Sequence, residues 1–122
     1  IITSNDLVAS DYVFIPLVGE TLPMIGLSML QNIIDGVREI NSKLDIGGIF
    51  LTRFNNRKLN TTVHGGVAAA YPDKIMNTKI RECISIAEAP ATLQTIFEYA
   101  PDSNGSQDYM DLAKEVIERC GI

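Results

Sequence analysis

The residues of this 122-residue chain best suited to chemistry are cations, and they are concentrated. TRFNNRK occupies 52–58, and NTKIRECISIAEAP follows at 77–90. Between Arg53 and Arg81 lie six of the ten Lys and Arg residues (Arg53, Arg57, Lys58, Lys74, Lys79 and Arg81) against one acid, Asp73. Guanidinium and ammonium groups on a loop contact phosphate oxygens, whether of a nucleotide or of a DNA backbone. The rest of the chain is acidic and the net charge is −5. That balance argues against indiscriminate nucleic-acid binding and leaves one anion-facing surface on an acidic body. In the second stretch Lys79 and Arg81 precede Cys83, and Glu88 sits between Ala87 and Ala89. Glu88 reads as a hydrogen-bond acceptor that fixes a connecting loop, not as a general base.

Other chemistries find little support. His64 stands alone before two glycines, with no nucleophile paired to it by spacing, so no catalytic residue is assigned. One histidine and two distant cysteines, Cys83 and Cys120, do not supply a zinc shell, and no metal site is expected. The cysteines read as free thiols of a reducing cytoplasm. A phosphate-cradling P-loop needs G-x-x-x-x-G-K-[ST], whose backbone N–H groups and lysine hold the phosphates. VGETLPMIG and HGGV lack both the lysine and the hydroxyl, so this chain builds no P-loop. No apolar run approaches the ~20 residues of a membrane helix, and no signal peptide is visible. The chain begins with Ile1, not Met, and reads as a processed or excised piece of a single α/β domain spanning 1–122.

Positioning these residues requires strands and helices in alternation. SNDLVA at 4–9 reads as the end of a helix. DYVFIPLV at 11–18 is a strand buried on both faces, with Pro16 at its end. Thr21 as cap and Pro23 in the first turn open a helix over about 22–43. Its apolar face is Leu27, Leu30, Ile33, Ile34, Val37, Ile40 and Leu44. IGGIFLTRF at 46–54 is a second strand, and NNRKLN is a loop. A helix starts at Thr61 or Thr62 and stops at Pro72. KIMNTKI at 74–80 holds a short strand. A last helix over 105–120 places Tyr109, Leu112, Ala113, Val116 and Ile117 on one side. The alternation predicts a three-layer α/β/α, Rossmann-like fold with a mainly parallel sheet. Two or three strands make only part of such a sheet. The C-terminal edge of the strand before TRFNNRK is where open α/β sheets bind ligands.

The motifs GGIFLTRFNNR, TKIRECISIAEAP, TIFEYAPDSNGSQDY and LAKEV, in this order, resemble the C-terminal half of the ParA/Soj family. These are P-loop ATPases that segregate plasmids and chromosomes. The resemblance covers essentially the whole chain. It implies a P-loop NTPase-like fold without its P-loop half, and a fragment that does not hydrolyse ATP alone. In the whole parent it implies ATP and Mg, a homodimer, sequence-independent DNA binding, a ParB-type partner, and cytoplasmic, nucleoid-associated placement without membrane binding. Thr52, Arg53, Ile80, Arg81 and Glu82 would wall the base side of the nucleotide. Arg57, with Lys58 beside it and Arg38 on the first long helix, would contact DNA. Where the family reads I-P-R-N, this chain has Arg81 for the proline, Glu82 for the arginine and Cys83 for the asparagine, and Leu93 replaces a glycine. Two other readings are a non-catalytic α/β interaction or dimerisation module, and a fragment of a MinD-like membrane-acting ATPase. The acidic DYMDLAKEVIERCGI disfavours the last, because such proteins carry a basic amphipathic C-terminal helix.

Overall fold

Two apolar runs build a short parallel sheet in the computed structural model, which describes residues 2–18 and 23–121. β1 (Tyr12–Val18) pairs with β2 (Asp45–Thr52) from Tyr12 opposite Asp45 to Val18 opposite Thr52. The register slips between Val13 and Phe14. The Phe14 ring lies on the backbone of Gly47, where a Cβ would come within 2.5 Å of it. Along β1, Ile15 and Leu17 are buried while Pro16 and Val18 are exposed. The expectation of a strand covered on both faces is therefore corrected. Pro16 is also not terminal but pairs with Phe50 inside the strand. Its missing N–H is tolerated because, among the described residues, β1 is an edge strand.

α1 (Ile2–Ala9) precedes β1, and α2 (Pro23–Ile40) links the two strands. Pro23 opens α2 as expected, whereas Thr21, its expected cap, lies outside the described residues. α2 stops short of 43 because Asn41 does other work. Its side-chain oxygen accepts the Lys43 N–H at 3.0 Å, and its amide donates to the Leu7 carbonyl of α1 at 3.2 Å. Leu30, Ile34 and Val37 are buried, and Leu44 is buried in the turn beyond. Ile33 and Ile40, on the margins of the expected face, are exposed.

α3 (Lys58–Ala70) begins earlier than its first threonines. Asn55 folds the chain ahead of it. Its side-chain oxygen accepts the Arg57 N–H and the Asn60 amide, both at 2.9 Å, and Asn60 is fully buried. NNRKLN is thus a turn running into a helix. α3 ends before Pro72, as expected. Val63 and Val67 of α3 close a core with the α2 residues and Ile15, Leu17, Ile49 and Leu51 of the sheet.

Beyond α3, the expected strand over 74–80 is replaced by two isolated parallel bridges, Ile49–Ile75 and Phe54–Arg81. The connecting loop expected over 77–90 is also corrected. It contains α4 (Ile84–Glu88) and leads into a 3₁₀ turn (Ala89–Thr92) and α5 (Ile96–Tyr99). Thr95 and Glu98 cap α5 reciprocally, at 3.2 and 3.0 Å. Leu93, between the 3₁₀ turn and α5, takes φ 58, the left-handed region where glycine is free of strain, and is 95% exposed.

α6 (Asn104–Cys120) is capped by Ser103 and stopped by Gly121 at φ 69. Its buried residues are Gly105, Ser106, Asp108 and Glu115, while Ala113 and Ile117 of the expected apolar side are exposed. The architecture is α/β with a two-stranded parallel sheet, the pattern of a partial Rossmann-like fold.

Candidate functional site

β2 ends at its C-terminal edge in a kink. Arg53 takes φ 51, which turns the backbone out of the strand. Phe54 resumes pairing: its N–H donates to the Ile80 carbonyl, and its carbonyl accepts the Glu82 N–H, both at 2.9 Å. The pairing lays 80–83 beside the end of β2. Between them opens a cavity of about 440 Å³, lined by Thr52, Arg53, Ile80, Arg81 and Glu82. These are the five residues expected on the base side of a nucleotide, and the structure brings all of them together. Ile84, Ile86 and Tyr109 add an apolar wall, which suits a planar ring better than a charged group. Gly105, at the start of α6, lets this wall close. A Cβ there would meet Ile86 Cγ1 at 2.6 Å.

Cys83 also lines the cavity. Burial pushes its thiol up, but N–H groups of Gly105, Ser85 and Ile86 outweigh burial and hold it below the ordinary value. Cys83 and Cys120 are both free thiols, as expected.

The 73–81 segment is shaped by α6. Asp108, Glu115 and Arg119 are spaced seven and eleven residues from the first, which places them on one helical face. Glu115 accepts the N–H groups of Asn77 and Thr78, each at 2.8 Å. Those donors lie in the gap between the two bridges, where they have no strand partner among the described residues. Burial pushes the Glu115 carboxyl up, but the Thr78, Asn77 and Arg119 bonds hold it below the usual carboxylate range. Arg119 pairs with Glu115 at 3.2 Å and donates to the carbonyls of Gly47, Asp73 and Ile75. Asp108 accepts the Arg81 N–H at 2.9 Å and grips its guanidinium at 2.9 to 3.2 Å.

The cations therefore play different parts. The hydrogen bond to Asp108 is the main reason the Arg81 guanidinium holds its proton even more firmly than usual. Its Nε and Nη2 groups are engaged by one carboxylate and its charge is offset. Lys79 Nζ lies 5.5 Å from the centre of the Phe54 ring, whose edge meets His64 at 6.5 Å between centroids. Burial, then the Lys79 charge, lowers the His64 pKa. Arg57 is the residue before α3 and Lys58 its first residue, both exposed near the end of β2. Arg38 is elsewhere. It shares a cleft of about 340 Å³ with Lys74, Ser42 and Asp45, at the start of β2. At ~3.3 Å per residue, the length of β2 puts that cleft roughly 25 Å from the cavity edge.

Sequence reasoning overlooked Asp108, Glu115 and Arg119, although their common helical face was a usable signal. It gave Glu88 the loop-fixing part that Asp108 and Glu115 play. Glu88 is exposed, and its side chain makes no hydrogen bond among the described residues. Among the described residues, no cluster of three His, Cys, Asp or Glu could hold a metal ion, and no helix is long and apolar enough to cross a membrane.

Comparison with known proteins gives these positions a context. No family model matches the chain. It is 37% identical to the chromosome-partitioning ATPase Soj of Treponema pallidum, over 99% of this chain and 49% of that protein. It is 36% identical to the chromosome partitioning protein ParA of Caulobacter vibrioides, over 98% of this chain and 45% of the relative. It is 38% identical to the sporulation initiation inhibitor protein Soj of Bacillus subtilis, over 95% of this chain and 47% of the relative. The chain spans less than half the length of the curated relatives it matches. It is homologous to the ParA/Soj partitioning ATPases over nearly its whole length, consistent with a C-terminal portion.

Proposed function

We propose that this chain supplies the base-side wall of the nucleotide pocket, and part of the DNA-facing surface, of a ParA/Soj-type partitioning ATPase. The observation that carries the reading is the cavity at the C-terminal edge of β2, where Thr52, Arg53, Ile80, Arg81 and Glu82 converge. In open α/β sheets that edge is the ligand-binding edge. The lining suits an adenine, since Ile80, Ile84, Ile86 and Tyr109 offer apolar surface to a planar ring. ATP, when bound, supplies the phosphoryl group, and its Mg would sit with the phosphates against the upstream P-loop half of the parent. This chain's residues bind and orient the base and keep water from it. Without a P-loop lysine the chain alone does not turn ATP over. The parent would dimerise on ATP, bind DNA through its phosphates and answer to a ParB-type partner. Arg57 and Lys58 are the DNA-facing cations of this reading. Arg38, at the other end of β2, would need a separate contact.

Cys83 offers a direct test, because its thiol sits in the cavity wall. In a Cys120→Ser background, maleimide should label Cys83, and ATP or ADP should slow that labelling while orthophosphate does not. Labelling that saturating nucleotide leaves unchanged would exclude the cavity as a nucleotide site.

A further inference from the structure

We infer that Lys79, not Arg81, is the second phosphate-contacting cation of this chain, in a polar groove that extends the Arg57–Lys58 surface toward the start of α6. The inference rests on the DNA-facing reading above and names a contact of that surface. The two cations are two residues apart in the sequence but differ in what holds them. Arg81 also borders the groove, but its backbone N–H and the Nε and Nη2 groups of its guanidinium are held by Asp108, which offsets its charge. Lys79 forms no ion pair among the described residues. Its one described partner is the face of Phe54. A ring face attracts an ammonium but accepts no conventional hydrogen bond, so the three N–H donors stay available. Lys79 is also braced. Glu115 pins Asn77 and Thr78 just before it, and Phe54 is fixed by its backbone bonds to Ile80 and Glu82.

Around Lys79 is a groove of about 450 Å³ that Arg81 borders and that includes Asn56, Asn77 and Asn104. These three exposed carboxamides make no side-chain hydrogen bond among the described residues. Ammonium and carboxamide donors are, with arginine and hydroxyls, the groups that proteins place on phosphate oxygens. Asn56 precedes Arg57 in the chain, so the groove continues the surface that carries Arg57 and Lys58. The groove also holds one carboxylate, Glu82, to which the Asn55 amide donates at 3.3 Å. Glu82 opposes a polyanion and so offers a control of opposite sign. The ligand class is the phosphodiester backbone of DNA, read without regard to base.

The test is fluorescence anisotropy of a labelled duplex of arbitrary sequence, titrated with the chain at several KCl concentrations. Lys79→Ala should weaken binding several-fold and reduce the salt slope by about 0.9, the loss of one phosphate contact. Lys79→Arg should restore both, and Glu82→Gln should tighten binding. If Lys79→Ala matches the unaltered chain while Arg57→Ala weakens it, the Lys79 assignment is overturned and the DNA-facing reading stands. If Lys79→Ala and Lys79→Arg weaken binding equally with no change in slope, Lys79 acts through structure and the assignment also fails. If the unaltered chain does not bind the duplex, both readings fail.

Discussion

α2 and α3 hold the sheet through side chains that water does not reach, whereas α6 holds the 73–81 segment through two carboxylates and a guanidinium. On the first side Leu30, Ile34, Val63 and Val67 meet Ile49 and Leu51. On the second, Asp108, Glu115 and Arg119 take up backbone groups that a regular strand would have paired with its neighbour. The two sides answer different demands. A complete ladder needs only apolar cover, and such cover is non-directional. A strand broken over 77–79 leaves N–H groups that must find acceptors, and buried acceptors need geometry. The irregular side is the one that adjoins the candidate site. There the broken strand frees Lys79 and sets Arg81 in the cavity wall.

The sharpest way to break this contrast is pH. Leu30→Ala should cost the most, about 3 kcal/mol, and by the same amount at pH 7 and at about pH 3, since no titrating group is lost. Urea unfolding followed by circular dichroism at both pH values would show it, and a strongly pH-dependent cost would mean the α2 side is not held by apolar burial. Glu115→Gln should cost somewhat less, about 2 kcal/mol at pH 7, because a charge-assisted acceptor is lost. The Glu115 carboxyl is held below its ordinary value, so its contribution is complete above the ordinary carboxylate range. It fades as pH falls through the folded value. The cost of Glu115→Gln should therefore shrink toward zero in acid, and a cost that stays constant would remove the carboxylate from the clamp.

Smaller effects sharpen the picture around the site. Leu93→Gly should stabilise by about 0.5–1 kcal/mol, as left-handed strain is relieved and partly offset by chain entropy. Thermal melts would register that gain, and a loss would mean the exposed leucine has a packing partner. Glu88→Ala should change stability by less than ~0.5 kcal/mol. A loss comparable with that of Glu115→Gln would return the loop-fixing part to Glu88.

The legibility of the sequence divides along the same line. Period-three and period-four spacing revealed α2, and β-branched runs revealed β1 and β2, because apolar burial writes itself into local periodicity. Thr52, Arg53, Ile80, Arg81 and Glu82, which the fold gathers around one cavity, were singled out through motif resemblance, not periodicity. The early start of α3 was missed because Asn55 and Asn60 fold the turn through side-chain bonds that no propensity reports. The buried side of α6 was missed because an apolar stripe was sought and the buried stripe is polar. Glu88 and Glu115 are the same residue type, and only their partners separate a solvent-exposed acid from a buried one.

The sequence by itself determined the alternation of elements, the absence of a P-loop, the concentration of cations between Arg53 and Arg81, and the order of motifs shared with partitioning ATPases. Each is a property of local composition or of spacing along the chain. The tertiary structure decided which cations are spent and which are available. Arg81 faces Asp108 across 27 residues of sequence, Lys79 rests on Phe54, and Arg38 lies at the far end of β2. Charge is written residue by residue, but its neutralisation depends on what lies within a few ångströms, and only the fold sets those distances.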